Sequence, residues 1–310
     1  MNPGTHHRLL AGMALVVGAV LGSGCSASEP GAPDALSAGD RGEPLRVVAT
    51  FYPLAWMAER IGGDRVAVTN LTPPGVEPHD LELAPDQVES LLDADVAFVL
   101  GRSFQPGPEK VAARRSKPTV VALDALRTAA TGDRTDPHLW LDPVEFSSVR
   151  DSVVAALSSA DPSNADGYAR RSAELGTALA KLDGDVATGL RSCERRLIVT
   201  NHEAFGHLAR RYNLDQASIA GVSPDAEPDP QRLADLAELV KANGVTTVFT
   251  ESLAPTQFAE TLAREVGVKT ATLNPLEGPA DDELKRGETY LTIMRRNLAS
   301  LQAALGCRSS

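Results

Sequence analysis

The sequence predicts an α/β protein of two pseudo-symmetric lobes, each a four-stranded parallel sheet flanked by helices, joined by one long rigid helix. Three observations predict it. Short runs of β-branched and apolar residues alternate with helical stretches, as parallel strands with helical crossovers require. The alternation occurs twice, on either side of a long helical pattern without proline. About 265 residues remain once two N-terminal segments are set aside, a length that suits two packed lobes.

Those N-terminal segments come first in the chain. Residues 1–25 read as an export signal: Arg8 gives a weakly positive start, Leu9 to Leu21 is apolar, and small residues lead to Cys25. The apolar run is too short to span a bilayer. Gly24-Cys25 has the form of a bacterial lipobox, whose cysteine becomes the lipidated N-terminus. Gly22 stands where leucine is usual, and simple secretion is the alternative. Residues 26–44 are rich in Gly, Ala, Ser, Pro and acid and are expected to form a flexible tether. No other segment is apolar enough to cross a bilayer. The mature chain is therefore expected outside the cytoplasmic membrane, held by its lipid anchor or free.

The first lobe is expected over residues 45–143. Its strands are Leu45–Thr50, Val66–Leu71, Asp95–Leu100 and Thr119–Leu123, with helices at Pro53–Ile61 and Pro85–Leu92. Asp86 and Glu89 sit in the first turns of the second helix, where the helix dipole favours acid. Residues 144–192 are expected to link the lobes. Within them Tyr168, Leu175, Leu179, Leu182, Val186 and Leu190 recur near helical spacing from Asn164 onward. This helix has no strand partner, which makes it a rigid spacer, although Gly176, Gly184 and Gly189 weaken it mildly. The second lobe is expected over 193–307, with strands Arg196–Thr200, Asp215–Ile219, Thr246–Thr250 and Lys269–Leu273. Helices should start near Glu203, Asp229 and Pro255, and a final helix should run from Asp282 to Leu305. Asp229-Pro230 pairs an N-cap acid with proline in the first turn.

The net charge of −11 becomes one unit more negative when Arg8 leaves with the export signal. Surplus acid argues against a nucleic-acid partner and suits a protein that attracts cations, or one that only needs to stay soluble. A monomer is expected. Cys193 and Cys307 are the two cysteines besides Cys25. In an oxidising location they favour a disulfide. The alternative is two thiols recruited by a metal, but Cys193 precedes its strand and should lie at the edge opposite the ligand-bearing loops.

The chain has six histidines, and His6 and His7 leave with the export signal. Three of the rest, His79, His138 and His202, sit with Glu277 in four turn-rich stretches just past predicted strand ends. In a parallel sheet, ligand groups belong on the loops beyond the carboxyl ends of the strands. Three neutral imidazoles and a carboxylate suit a divalent transition metal, above all zinc. Two of these residues come from each half, so the ion should sit in the interlobe cleft. His207 lies five residues after His202, off the spacing of a His-Glu-x-x-His helix, and is read as structural. Glu251, at the end of a strand, is the rival carboxylate; it could instead accept a bond behind a ligand or cap a helix.

Gly75–Asp80, Asp136–Pro143, Asn201–Phe205, Gly221–Pro224 with Glu227-Pro228, and Leu273–Gly278 together resemble the motifs of the cluster A-I metal-binding proteins. These are the zinc- and manganese-uptake (ZnuA-like, TroA-like) solute-binding components of ABC importers. The resemblance covers nearly the whole mature chain. It implies a non-enzymatic, extracytoplasmic lipoprotein that captures one metal ion between two lobes and delivers it to a permease with its cytoplasmic ATPase. His79, His138 and His202 match the family's first three ligands, and Glu277 falls where it places the fourth, an aspartate or glutamate. Histidine at the third position tilts the reading to Zn2+ as the transported solute. The histidine-rich loop of many zinc members is missing, since residues 101–136 contain no histidine. Rivals are manganese or iron in the same fold, an extracellular metallohydrolase with Glu277 as base, and adhesion to host surfaces. Four protein ligands close a tetrahedral zinc and leave no position for an activated water, which counts against the hydrolase.

Overall fold

The computed structural model describes residues 43–79, 81–126 and 136–308. The expected export signal, Cys25 and residues 26–42 of the expected tether lie outside the described residues. In the first half, β1 (Leu45–Ala49), β2 (Val66–Asn70), β3 (Val96–Val99) and β4 (Thr119–Val121) alternate with α1 (Tyr52–Gly62), α2 (Pro85–Asp93) and α3 (Pro106–Ala112). Three helices follow: α4 (Pro143–Ser148), α5 (Arg150–Ala160) and α6 (Ala165–Gly189). The second half has β5 (Leu197–Thr200), β6 (Asp215–Ser218), β7 (Thr247–Thr250) and β8 (Lys269–Thr272). Between and after these strands come α7 (Gly206–Tyr212), α8 (Pro230–Ala242), α9 (Gln257–Val266), α10 (Asp281–Lys285) and α11 (Tyr290–Leu305).

Both sheets are four-stranded and wholly parallel, in the orders β2-β1-β3-β4 and β6-β5-β7-β8. The second order repeats the first strand for strand. Residue type explains which strands are central. β3 (Val-Ala-Phe-Val) and β7 (Thr-Val-Phe-Thr) are buried along their whole length, as strands covered on both faces must be. The edge strands β2 and β8 keep alternate or nearly all positions open and carry Thr69, Asn70, Lys269 and Thr270.

The 25 residues of α6 run about 37 Å at 1.5 Å per residue. Tyr168, Leu175, Leu179, Leu182 and Val186 form its buried stripe, which packs on α1, α4, α5 and α11. Two of its glycines are there for close approach. A Cβ on Gly176 would come within 2.7 Å of the Arg150 guanidinium, and one on Gly189 within 2.7 Å of Gln302. Nothing packs against Gly184. One continuous core runs from Val47 and Phe98 through Trp56, Leu175 and Leu182 to Phe205, Phe249 and Tyr290. The two sheets thus share their apolar interior rather than facing each other across water.

Two expected elements are shorter than the sequence suggests. The final helix is broken: α10 ends at Lys285, Gly287 takes φ +67°, and α11 restarts under the Thr289 hydroxyl, which accepts the Thr292 N–H. The helix expected near Glu203 begins only at Gly206: the His202 carbonyl, which a helix starting there would use for its first bond, instead accepts Thr200 Oγ1 at 2.8 Å and Gln216 Nε2 at 3.1 Å. Among the described residues no helix is long and apolar enough to cross a membrane.

Cys193 and Cys307 form a disulfide across a sequence separation of 114 residues. It joins the approach to β5 with the end of α11. In the chain-entropy picture, closing a loop of this size stabilises by about 4–5 kcal/mol, with measured values more often about 2–5. The paired substitution Cys193→Ser/Cys307→Ser is expected to lower the unfolding free energy by about 2–5 kcal/mol. Urea titration with and without reductant measures it; an unchanged midpoint would show that the crosslink contributes nothing.

Candidate metal centre

Each of the four residues singled out from the sequence is carried by a loop at the carboxyl end of a sheet, and each loop has its own brace. The His79 loop leaves β2, turns at Gly75 (φ +75°), and donates the Gly75 N–H to Pro279 O in the Glu277 loop at 3.3 Å. Gln105 holds it from behind. Its Nε2 donates to Pro78 O at 3.0 Å and lies 3.3 Å from Thr50 O and Thr72 Oγ1, so one buried amide ties three loops together. His138 is turned by Asp136, whose Oδ1 accepts both the His138 main-chain N–H (3.0 Å) and Nδ1–H (2.8 Å). His202 is held in the same way by Glu251 at the end of β7. Oε1 accepts its main-chain N–H at 3.0 Å and Oε2 accepts Nδ1–H at 2.6 Å. The rival carboxylate therefore stands behind a histidine rather than among the four converging groups.

The Glu277 loop is the most heavily braced. Leu276 sits at φ +60°, a conformation costly for a branched side chain, and its N–H donates to Asn274 Oδ1 at 2.7 Å. Asn274 is locked to α11 by two bonds with Asn297, at 2.9 and 2.7 Å, and to Glu283 of α10 at 3.0 Å. Trp140 Nε1 donates to Pro275 O at 2.7 Å, and Tyr290 Oη donates to Trp140 O at 2.6 Å. The stretch after His138 is thereby joined directly to the stretch before Glu277.

These braces bring all four residues to one point. Nε2 of His79, His138 and His202 lie 3.2, 3.1 and 3.2 Å from a single atom, Glu277 Oε1. One ligand atom from each residue falls within 4.8 Å of every other. Bonds of 2.0–2.1 Å to a tetrahedral ion place its ligands about 3.3 Å apart, which the three Nε2–Oε1 separations match. His138, His202 and Glu277 are at most 1% exposed, while the His79 side chain is 9% exposed. Phe104 lies edge-on to His79 at 4.5 Å and Trp140 lies 5.1 Å from His138, which makes the inner wall apolar.

The electrostatics follow from burial and mutual contact. Burial pulls the His138 imidazole down, but Asp136 and Glu277 outweigh it and raise its pKa. His202 is raised well above the ordinary imidazole value, burial again being outweighed by the charges of Glu277 and Glu251. Burial alone would raise Glu277; His202, His138 and His79 hold it well below the usual carboxylate range. Glu77, which accepts the His79 N–H at 3.2 Å, is pushed up to about 9 by burial and by the nearby Glu277 charge. With Nδ1 of His138 and His202 committed to carboxylates, Nε2 is the atom left to carry either a proton or a metal ion.

Sequence reasoning left Asp136, Gln105 and Trp140 without a role. Only Asp136 carried a local signal, the Asp-Pro-His spacing of an Asx turn. His207 is buried between α4 and the Asp136 turn, contacting Glu145 Oε2 through Nδ1 and Asp136 O through Nε2 at 3.1 Å.

Comparison with known proteins gives consistent matches. The family model described as zinc-uptake complex component A, periplasmic (ZnuA) matches residues 47–304. The high-affinity zinc uptake system protein ZnuA of Bacillus subtilis is 34% identical over 292 residues, covering 88% of this chain and 91% of that protein. The zinc-binding lipoprotein AdcA of Streptococcus pneumoniae is 33% identical over 281 residues and covers 83% of this chain, which spans only 55% of that protein's length. The crystal structure of the Zn(II)-bound ZnuA-like domain of the same AdcA superposes with a TM-score of 0.72 at 33% identity, over 84% of this chain and 99% of that domain.

The brace on the Glu277 loop is testable apart from any ligand. Asn297→Leu strands the Asn274 N–H and C=O in the interior, which should lower stability by about 2–4 kcal/mol. Denaturant titration of metal-free protein reads it; a loss below about 0.5 kcal/mol would show that other groups hold the loop.

Proposed function

The chain belongs to the ZnuA family of zinc-uptake components, and from that premise we propose that it captures Zn2+ between His79, His138, His202 and Glu277 and delivers it to the permease of an ABC importer. It is a solute-binding transport protein and not an enzyme. The observation that carries the reading is the convergence of three Nε2 atoms from both halves of the molecule on one buried carboxylate oxygen. Four protein ligands complete a tetrahedron, so the ion is held without an open position at which water could be activated. We take residues 45–143 and 193–307 as the two lobes, with 144–192 between them. We also take the protein to act outside the cytoplasmic membrane, anchored by lipid on Cys25 or released.

The shared core and the α6 brace disfavour wide hinge opening. Release is accordingly a matter of small loop or lobe movements, and His79 is the least buried of the four ligands. Selectivity among divalent ions rests on geometry and supply, because the intrinsic order of affinities does not favour zinc over copper.

Two outcomes check the reading. Natively purified protein is expected to hold one equivalent of zinc that excess manganese does not displace, and His202→Ala is expected to lose it. Retained stoichiometric zinc in that variant, or exchange for manganese, would overturn the ligand set or the choice of metal. Affinity should also fall on acidification. An ion must displace protons from His138 and His202, whose pKa values are raised, so binding is complete above those values and weakens below them. The decline should therefore begin above the ordinary imidazole value of about 6.5. Chelator competition across pH measures this; affinity constant down to pH 5 would contradict histidine ligation.

A further inference from the structure

His207 is the one described histidine outside the four-residue cluster, yet its surroundings tie it to that cluster. It lies in the first turn of α7, on the C-terminal half, and is 5% exposed. Nδ1 meets the Glu145 carboxylate of α4, and Nε2 meets the Asp136 main-chain carbonyl at 3.1 Å and its Oδ2 at 3.7 Å. A main-chain carbonyl can only accept, so Nε2 carries hydrogen and donates it to Asp136 O. The α7 backbone presses on the same carboxylate: a Cβ on Gly206 would come within 2.5 Å of Asp136 Oδ2. Asp136 is therefore held on one side by α7, while its Oδ1 takes both the main-chain and ring N–H of His138.

We propose that His207 is a positioning residue of the metal centre: its ring, anchored by Glu145, holds the Asp136 turn in place, and Asp136 in turn aims His138 Nε2 at the ion. The arrangement joins the two halves, since a residue of α7 sets a ligand that follows the first sheet. It also fixes the tautomer. Asp136 Oδ1 takes the Nδ1–H, which leaves the Nε2 lone pair for the metal.

This inference rests on the metal-binding reading above, and the experiment separates the two. Zinc affinity is measured on the mature protein by competition with a chromophoric chelator, for wild type, His207→Phe, His207→Gln and Asp136→Ala, and for His207→Phe combined with Asp136→Ala. Loss of an outer partner of a ligating histidine typically weakens metal binding 10–100-fold. His207→Phe is expected to weaken zinc about 10-fold. His207→Gln, which restores one donor, should recover part of the loss. The cobalt(II)-substituted protein should show a shifted visible ligand-field spectrum in the Phe variant. In the Asp136→Ala background the same Phe substitution should change affinity less than about twofold, because the path through Asp136 is already broken. Should His207→Phe fail to fold by circular dichroism, Glu145→Gln, which keeps the ring but weakens its anchor, is expected to cost about 3-fold.

Affinity and cobalt spectrum unchanged in the His207 variants would overturn the proposal. So would a 10-fold loss that persists undiminished in the Asp136→Ala background. Failure of the wild type to bind one equivalent of zinc would sink the metal-binding reading and this inference together.

Discussion

Everything at the centre is organised around one oxygen atom, Oε1 of Glu277, on which three imidazoles converge. A carboxylate that is 1% exposed cannot stay ionised without compensation, and here the compensation comes from histidine rings and not from lysine or arginine. Two of those rings are backed by further carboxylates, Asp136 and Glu251. The cluster therefore gathers three buried acidic side chains with no lysine or arginine among them. That is a hostile place for an anion and a favourable one for a doubly charged cation. Burial and the Glu277 charge push Glu77 up as well.

Placing that oxygen demands rigid loops, and the scaffold supplies them by cross-bracing. Trp140 and Tyr290 join the stretch after His138 to the one before Glu277, and Gln105 gathers the ends of β1 and β2 with the His79 loop. Leu276 stands in a left-handed conformation that persists because Asn274, Asn297 and Glu283 over-determine it. Much of this bracing crosses from one half of the chain to the other. The site and the lobe interface are the same structure.

The sequence was legible where periodicity and residue type act locally. The eight strands, their division into two similar sets, the long α6 and the four converging residues could all be read from apolar runs and from histidines placed after strand ends. Less legible was whatever depends on distant partners. The restart of α11 at Thr289 turns on Gly287 adopting positive φ, which competes with an otherwise helical pattern over 282–305. The delayed start of α7 depends on Thr200 of β5 and Gln216 of β6, whose side chains take the His202 carbonyl. Gln105 and Trp140 act on atoms 27 to 135 positions away along the chain, as in Trp140 to Pro275, so no local spacing could have revealed them. His207 shows the same limit, since isolated histidines are usually structural and only the fold sets this one beside Asp136.

The Cys193–Cys307 bond has a topological consequence. It turns the C-terminal half, from the approach to β5 to the end of α11, into a covalent macrocycle, with residues before 193 attached as a tail. A single protease nick within the ring leaves both fragments tethered, with His202 and Glu277 still on one molecule. A nick in the tail has no such safeguard. Half of the cluster is thus insured against the first cut.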